Sequence, residues 1–235
     1  MYKKIKEAGK MVSDRHSGTM DYFYLTPASL SLLKPLMPVF KKYVKGRLLD
    51  AGAGRLSYRF ILEPFCTSYA SVDIDVREKF DGAVGDVQYL PLKSGVFDTV
   101  FCTQVLEHVP EPQKAMDEIF RVLKKGGCAI FTVPHLGYLH NEPYDYYRYT
   151  NHGLKYMLEK SGFHVVQIVS AGGFVSFVGH ICSTLFINLT AGIPFFGRFV
   201  FFLNRYYVRA LVFIDSHVER KKLYALNYIA IGSKL

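Results

Sequence analysis

The chain has 235 residues, half of them hydrophobic, which excludes wholesale disorder and provides enough apolar side chains for a full core. Its formal net charge is +9, and the positive charge lies at the two ends. Residues 1–47 carry ten basic against three acidic residues and residues 174–235 carry seven against two, whereas twelve basic and fifteen acidic residues lie between them. Such ends predict an anionic partner, either a membrane surface or a nucleic acid.

The first ten residues are charged and lack the apolar run of a secretory signal. Four cysteines are scattered without a C-x-x-C pair, namely Cys66, Cys102, Cys128 and Cys182. We therefore expect reduced thiols in a cytoplasmic protein, no structural zinc and no other metal site.

The N-terminal segment 1–46 predicts a basic helical cap. Thr26 and Pro27 are typical of a helix start, and an apolar run follows them. Because Pro35 and Pro38 interrupt this run, we expect two short helical pieces.

From Arg47 onward, short apolar strands alternate with helical segments. Strands are predicted at 47–51, 69–74, 97–103, 127–134 and 163–170, with a weak one near 82–85; helices are predicted near 56–65, 112–124 and 150–161. This alternation predicts an α/β fold with a doubly wound, mainly parallel sheet, whose core spans 47–173.

Acidic residues and glycines follow the predicted strands. Asp50 ends the first strand, and Gly52 and Gly54 form a turn that a ligand can approach without a Cβ in the way. Asp73 lies about twenty residues later at the next strand end, where a carboxylate can accept both ribose hydroxyls; Asp75 competes for this role. Asp86 and Gln104 follow two further strands. Each position alone is compatible with an ordinary turn, but together they predict a nucleoside-type site at one sheet edge.

An oxidoreductase using the same turn is the first alternative. A nicotinamide-binding turn requires G-x-G-x-x-G, but Ser57 stands at the last position. The pattern therefore favours a different adenosyl cofactor.

Six segments in this order resemble class I S-adenosylmethionine-dependent methyltransferases over residues 47–171. They are D-A-G-A-G at 50–54, V-D-I at 72–74, G-D-V-Q-Y-L-P at 85–91, F-D-T-V at 97–100, V-L-E-H-V-P at 105–110 and R-V-L-K-K-G-G at 121–127. The resemblance implies a seven-stranded Rossmann-like sheet that closes with an antiparallel strand in residues 223–235. It also implies S-adenosylmethionine as cofactor and S-adenosylhomocysteine as product.

The resemblance assigns cofactor roles residue by residue. Gly52 and Gly54 would lie beneath the methionine part, and Asp50 would orient this loop and reach the methionine ammonium through water. Asp73 and the adjacent Ile74 would hold the ribose, Asp86 and Val87 the adenine, and Gln104 would lie near the methyl group. Many members have a small residue after the second glycine, whereas this chain has Arg55; it either contacts the methionine carboxylate or is solvated.

The segment after the fifth strand is rich in groups that donate, accept or titrate. Residues 140–150 read H-N-E-P-Y-D-Y-Y-R-Y-T. They resemble a methyltransferase subgroup with an H-x-x-P-x-D-Y-Y-R-Y-T signature, often found beside bacterial surface-glycan enzymes. The resemblance implies a lipid-linked, glycan or other small-molecule acceptor.

Methyl transfer to a hydroxyl requires alignment and removal of a proton. We predict His140 as the base, with His135 and then His108 behind it, and we favour oxygen as the acceptor atom. Tyr144, Tyr147 and Arg148 would shape the acceptor pocket, with Arg148 clamping a phosphate or carboxylate. In the alternative, Asp145 and Arg148 form a structural ion pair and Thr150 caps the next helix.

Residues 174–197 contain no charged side chain and are long enough to span a membrane. Spanning is disfavoured because the alternating segment near 223–232 must rejoin the sheet. We predict instead that 174–222 is a helical insertion at an anionic membrane surface, since Arg198, Arg205, Arg209 and Arg220 fall on one side of an apolar helix. A lid over the site, or a homodimer interface, is the alternative.

The sequence thus predicts a methyltransferase of class 2.1.1 that is cytoplasmic and peripheral to the inner membrane face. A catalytically degenerate cofactor-binding scaffold is one alternative. A nucleic-acid methyltransferase is another, but the chain has no N-P-P-Y-type motif and its apolar insertion is ill suited to a duplex.

Overall fold

The computed structural model describes residues 2–75, 81–190, 193, 195–218 and 222–235, and it describes side chains from residue 9 onward. The chain divides into two compact units. The sheet unit contains residues 36–170 and 227–235, and the helical unit contains residues 1–35 and 171–226. Most of the predicted N-terminal segment and the whole predicted insertion therefore fall in the same unit.

Seven described strands form one sheet. They are β1 Arg47–Ala51, β2 Ser68–Asp73, β3 Ala83–Val84, β4 Phe97–Thr103, β5 Leu123–Pro134, β6 His164–Ala171 and β7 Asn227–Ser233. Their order is β3-β2-β1-β4-β5-β7-β6, with β7 antiparallel to β5 and parallel pairs from β3 to β5. The predicted doubly wound sheet with an antiparallel closing strand is confirmed.

Eight α-helices are described. They are α1 Tyr2–His16, α2 Met20–Phe23, α3 Pro27–Tyr43, α4 Arg59–Leu62, α5 Pro112–Val122, α6 Asn151–Lys160, α7 Phe174–Thr190 and α8 Phe196–Val218. Two 3₁₀ helices, Glu63–Phe65 and Leu106–His108, follow α4 and β4.

The central strands are buried on both faces, which explains their continuous apolar sequences. Leu48 and Leu49 of β1 are fully buried, and so is the stretch of β5 from Ala129 to Phe131. The rings of Phe40, Tyr58 and Phe101 meet edge to face, with centroids 5.1–6.4 Å apart. This core fixes the strand ends that carry the candidate site.

The boundary between α5 and β5 lies earlier than predicted. The helix ends at Val122 rather than at residue 124, because Leu123 already pairs with Phe97 of β4. Lys124 belongs to β5, where its ammonium pairs with Asp98 at 2.8 Å instead of ending a helix. Strand pairing here overrides the helix-ending pattern of Lys followed by Gly.

The prediction that two prolines divide α3 is wrong. The helix runs without a break from Pro27 to Tyr43. Pro35 is partly exposed and Pro38 exposed, whereas Leu36 and Phe40 are fully buried. The prolines thus lie away from the fully buried side of the helix, and burial of that side offsets their cost of about 3 kcal/mol each.

The helical unit is held by polar contacts between distant segments. The side chains of Ser183 in α7 and Asn204 in α8 both donate to the carbonyl of Leu25, at 2.8 and 3.0 Å, and Ser183 also donates to Asn204. At the start of α7, the buried Asp215 carboxylate accepts from the Val175 amide and the Ser176 hydroxyl. The segment predicted as a helical insertion, 174–222, thus contains two helices, α7 and α8.

Among the described residues, no helix combines the length and apolar character that a bilayer crossing requires. Two arginines predicted to face a membrane contact the helical unit itself. Arg205 and Arg209 lie over the ring of Tyr24 at 4.7 and 4.6 Å, and Arg205 also pairs with Asp21 at 3.3 Å. Arg220 lies outside the described residues.

Candidate functional site

The turn after β1 has the backbone that its two glycines predict. Gly52 and Gly54 have φ of +78° and +56°, which a side chain would strain. The amides of Gly52 and Ala53 both donate to the carbonyl of Val72 in β2, at 2.8 and 3.1 Å. A Cβ on Gly52 would also overlap the side chain of Val105. The first glycine is thus required by close packing as well as by its φ.

Asp73 fixes this turn to the end of β2. One carboxylate oxygen accepts from the amide of Gly54 at 2.7 Å, and the other accepts from the amide of Asp75 at 3.0 Å. The carboxylate is 7% exposed and keeps further acceptor positions beyond these two bonds. Its ribose role stays a prediction, as does that of Ile74, which is 68% exposed.

Asp50 lies at the end of β1 with a fully buried carboxylate. The hydroxyl of Tyr69 donates to its Oδ2 at 2.6 Å, while Oδ1 has no hydrogen-bond partner among the described residues. Burial raises the pKa of Asp50 to about 7, helped by the charge of Asp73 and opposed by the bond from Tyr69. The free oxygen fits the predicted water-mediated contact to a methionine ammonium. The residues at this strand end therefore suit an adenosyl-amino-acid cofactor.

The next two predicted positions follow β3 and β4. Both carboxylate oxygens of Asp86 accept from the Gln88 amide side chain, at 3.1 and 2.9 Å, and Val87 is buried. Gln104 follows β4 with φ of +52°, and its side chain donates to the Thr132 hydroxyl at 3.2 Å. The adenine role of Asp86 and Val87 and the methyl-end role of Gln104 stay predictions, and so does any contact of the partly buried Arg55.

Residues 49–131 match the protein family described as "Methyltransferase domain". The match covers the glycine turn and the ends of β2 and β4. Residues 49–131 form a methyltransferase domain, within a fold that the chain shares with S-adenosylmethionine-dependent methyltransferases. S-adenosylmethionine is the cofactor of this family.

The curated relatives align with only part of this chain. A ubiquinone/menaquinone biosynthesis C-methyltransferase of Ruegeria sp. (strain TM1040) is 31% identical over 98 residues, which are 34% of this chain and 39% of that protein. The chain spans about two fifths of the length of the curated relatives it matches.

Solved structures share the fold over most of the chain. A S-adenosylmethionine-dependent methyltransferase from Archaeoglobus fulgidus is 19% identical, with a TM-score of 0.56, and the match covers 89% of this chain and 95% of that one. The [4+2]-cyclase SpnF is 17% identical with a TM-score of 0.60, covering 88% and 82%. Since one of these proteins is a cyclase, the methyltransferase fold alone does not determine the reaction.

Beyond the methyltransferase family match, the segment after β5 folds around Asp145. Its carboxylate accepts from both terminal nitrogens of Arg148, at 2.6 and 2.8 Å, and from the amide of His140 at 2.7 Å. The Thr150 hydroxyl accepts from the Gly153 amide at 3.0 Å and caps α6. The structural alternative for Asp145, Arg148 and Thr150 is thus present, and an acceptor-binding role of Arg148 stays a prediction.

His140 belongs to a cluster with Glu107 and His108. The two imidazole rings meet edge to face with centroids 4.8 Å apart, and His108 Nε2 lies 3.8 Å from a Glu107 carboxylate oxygen. One nitrogen or oxygen from each of the three side chains lies within 4.8 Å of the others. The cluster follows β4 and β5 at the carboxyl edge of the sheet, where open α/β sheets bind ligands.

Hydrogen bonds determine which ring nitrogen of His108 and of His140 keeps a lone pair for a further contact. His108 Nδ1 lies 2.6 Å from the Tyr144 carbonyl and must donate there, so its Nε2 keeps a lone pair. His140 Nδ1 has two oxygens at 3.4 Å, the Tyr138 carbonyl and an Asp145 carboxylate oxygen. The nearby Arg148 Nη2 uses both its hydrogens at 2.8 Å on those same two groups, so it has none for the ring. Both imidazoles therefore favour a free Nε2.

Burial lowers the pKa of both His108 and His140, and each is further lowered by neighbouring positive charge. Burial also raises the pKa of Glu107 to about 8. These directions leave two neutral imidazoles beside one buried carboxyl group near neutral pH. This is the combination that proton transfer or metal binding requires.

The other predicted residues lie apart from this cluster. His135 Nδ1 lies 2.8 Å from the Tyr149 carbonyl, and its ring contacts Tyr228 with centroids 5.1 Å apart. The Tyr147 hydroxyl donates to the Pro110 carbonyl at 2.8 Å, and Tyr144 is 59% exposed. Their catalytic and acceptor roles stay predictions.

Glu107 is the residue that the sequence did not reveal. Its signal in the sequence is the adjacent Glu-His pair a few residues after β4, within the V-L-E-H-V-P segment. Since Glu107 and His140 are far apart in sequence, only the folded loop brings them together.

Proposed function

We propose that the protein transfers the methyl group of S-adenosylmethionine to an oxygen of a lipid-linked or glycan acceptor. The supporting observation is the neutral His108–His140 pair at the sheet edge that also carries the glycine turn. Gly52, Gly54 and Asp73 would hold the cofactor, which supplies a methyl group on a sulfonium. The chain's own residues need only align the acceptor and take up its proton.

Loss of the acceptor proton is proposed to depend on His140. Its amide and ring are placed by Asp145, which Arg148 holds in turn. The lowered pKa keeps the ring neutral near pH 7, as an activating imidazole must be. The carboxylate of Asp145 stays ionised because the bonds from Arg148 hold its pKa far below the usual range.

The acceptor is tested by incubating the full chain and a labelled methyl donor with cell-envelope extract, followed by lipid and glycan fractionation. The parent protein should label a lipid or glycan fraction. His140→Gln should lower the rate about 100-fold or more, the usual contribution of a positioned proton acceptor, with S-adenosylhomocysteine affinity unchanged. The exposed His152 provides the matched control as His152→Gln, which should keep the parent rate.

Three outcomes would contradict parts of this proposal. Cofactor binding without label in any fraction supports a degenerate scaffold, and label in added nucleic acid supports the nucleic-acid alternative. An unchanged rate in His140→Gln removes the role of His140. The name of the Ruegeria relative favours carbon as the alternative acceptor atom, which cleavage of the labelled product distinguishes from an ether or ester.

We further propose that the helical unit binds an anionic membrane surface. Four aromatic residues recur at helical spacing on α8 and are each more than half exposed, namely Phe199, Phe202, Tyr206 and Phe213. On α7, Ile181, Leu185 and Leu189 repeat every four residues and are also about half exposed. Monomeric proteins rarely expose so much contiguous apolar surface. The positive charge of both chain ends suits anionic lipid.

Flotation with vesicles of phosphatidylglycerol and phosphatidylcholine tests the membrane proposal. The parent should float with the anionic vesicles and less so at high salt, because screening weakens the charge contribution. A Phe199→Ser and Phe202→Ser double variant should lose most of the bound fraction. Tyr156→Ser, which removes an equally exposed aromatic residue from the sheet unit, should not. A concentration-dependent dimer that ignores vesicles would support the homodimer alternative instead.

A further inference from the structure

Glu107 carries a buried carboxylate that the cofactor site does not use. The side chain is fully buried, and neither carboxylate oxygen has a hydrogen-bond partner among the described residues. A buried carboxyl group without donors is unfavourable in its charged form, so it is either protonated or balanced by a bound cation.

The nearest fixed charges do not compensate Glu107. Arg148 is the cation that faces it, but its guanidinium is bound at two points by Asp145. When Glu107 is ionised, the side chains of Glu107, Asp145 and Arg148 together carry one negative charge. A bound cation would balance that charge and take the place of the Glu107 proton.

The two imidazoles present the geometry of metal ligands. His108 donates Nδ1–H to the Tyr144 carbonyl, and His140 directs Nδ1 at the Tyr138 carbonyl and Asp145. Ligating histidines almost always donate their second ring N–H to a carbonyl or carboxylate in this way. The lone pairs of both Nε2 atoms then remain for a shared ligand.

We propose that Glu107, His108 and His140 bind one divalent transition-metal ion, such as zinc, iron or manganese. Two imidazoles and one carboxylate are a donor set typical of such ions, and they leave coordination positions open for another ligand. One nitrogen of each imidazole and one Glu107 oxygen already lie within 4.8 Å of one another, so the three side chains are close enough to share one ion after side-chain rotation.

This step rests on the proposed function. A bound ion would explain why methyl transfer depends on His140. An acceptor hydroxyl in an open position would lose its proton to bulk water, because a cation lowers the pKa of a coordinated hydroxyl. The alkoxide oxygen then forms a bond to the methyl carbon while the carbon–sulfur bond breaks, and the sulfur keeps the electron pair. His140 would hold the ion instead of taking the proton itself.

Cobalt(II) titration of the chelator-treated full chain tests the site directly. The visible absorption of Co²⁺ should rise to one equivalent per chain, and zinc should displace it. Glu107→Gln and His140→Gln should each weaken binding about tenfold or more, as loss of a first ligand exceeds loss of its supporting partner. His152→Gln should bind as the parent does. Glu107→Gln removes the ionisable group but keeps the size and shape of the side chain, so we expect the variant to fold. Near-ultraviolet circular dichroism of the variant checks this.

The metal site and the proposed function fail in different ways. S-adenosylhomocysteine binding by the metal-free protein reports the cofactor site alone and should match that of the metal-loaded protein. Metal binding without methyl transfer would refute the proposed function and leave the site standing. No Co²⁺ absorption, or equal absorption in parent, Glu107→Gln and His140→Gln, would overturn the site.

Discussion

Four carboxyl groups near the carboxyl edge of the sheet have different environments. Asp73 is bonded to two backbone amides, Asp145 is held by a guanidinium, and Asp50 accepts one bond from Tyr69. Glu107 has no such partner among the described residues. The pKa is accordingly lowered at Asp145 and raised at Asp50 and Glu107.

Asp50 should make the free energy of unfolding depend on pH. Its pKa is about 7 in the folded chain, against 3.8 for an unperturbed aspartate, so the folded state favours the protonated form. Stability from this group is fully present below pH 3.8 and is lost as the pH rises to about 7. Asp50→Asn removes this loss.

Urea unfolding at about pH 5 and about pH 8 measures the effect. Relative to the parent, Asp50→Asn should gain about 3 kcal/mol over this interval, since each of the two pH units between 5 and the pKa of about 7 contributes about 1.4 kcal/mol. The exposed Asp75→Asn serves as control and should show no such change. An Asp50→Asn difference that is independent of pH would contradict the buried, raised-pKa description.

The positions of the predicted cofactor residues could be placed from the sequence because each lies at or just after the end of an apolar strand. Gly52, Gly54 and Asp73 are fixed by local turn geometry and by adjacent strand ends, which a parallel sheet must bring together. Glu107 could not be predicted in the same way. Its lack of a partner depends on Arg148 being bound by Asp145, which is a property of the folded loop.

At the scale of elements, strands were predicted more accurately than helix ends. The bounds of β1 and β4 agree with the prediction to the residue, because apolar runs between polar turns define buried strands. The end of α5 and the continuity of α3 were not predicted. In both cases tertiary contacts, strand pairing and burial, override a local helix-breaking signal.

The continuity of α3 predicts that Pro38→Ala stabilises the protein. Pro38 lies exposed in the helix interior, where proline is about 3 kcal/mol less favourable than alanine. Part of this difference is cancelled because proline also restricts the unfolded chain, so we expect a gain of about 1–2 kcal/mol.

Thermal and urea unfolding of Pro38→Ala measure this gain. Met37→Ala, at the neighbouring exposed position, is the control and should change stability by less than about 0.5 kcal/mol. A loss of stability in Pro38→Ala would mean that the proline supports the helix rather than straining it.

At the scale of the whole molecule, the two units carry different features. The sheet unit contains the methyltransferase domain, its glycine turn and the Glu107–His108–His140 cluster. The helical unit contains most of the two positively charged end segments and many exposed apolar side chains. Charge distribution alone predicted an anionic partner for the ends of the chain. It could not predict that Arg205 and Arg209 lie over the ring of Tyr24, because this contact exists only in the folded unit.

Binding of S-adenosylhomocysteine, measured by isothermal titration calorimetry on the full chain, tests the central claim most directly. The parent should bind one equivalent, and Asp73→Ala should weaken binding about tenfold or more, since it removes a charged acceptor and the bond to Gly54. Asp75→Ala, at the competing position, should bind like the parent. No binding at about 1 mM ligand, or equal loss in Asp73→Ala and Asp75→Ala, would contradict the account, because binding weaker than about 1 mM corresponds to less than about 4 kcal/mol.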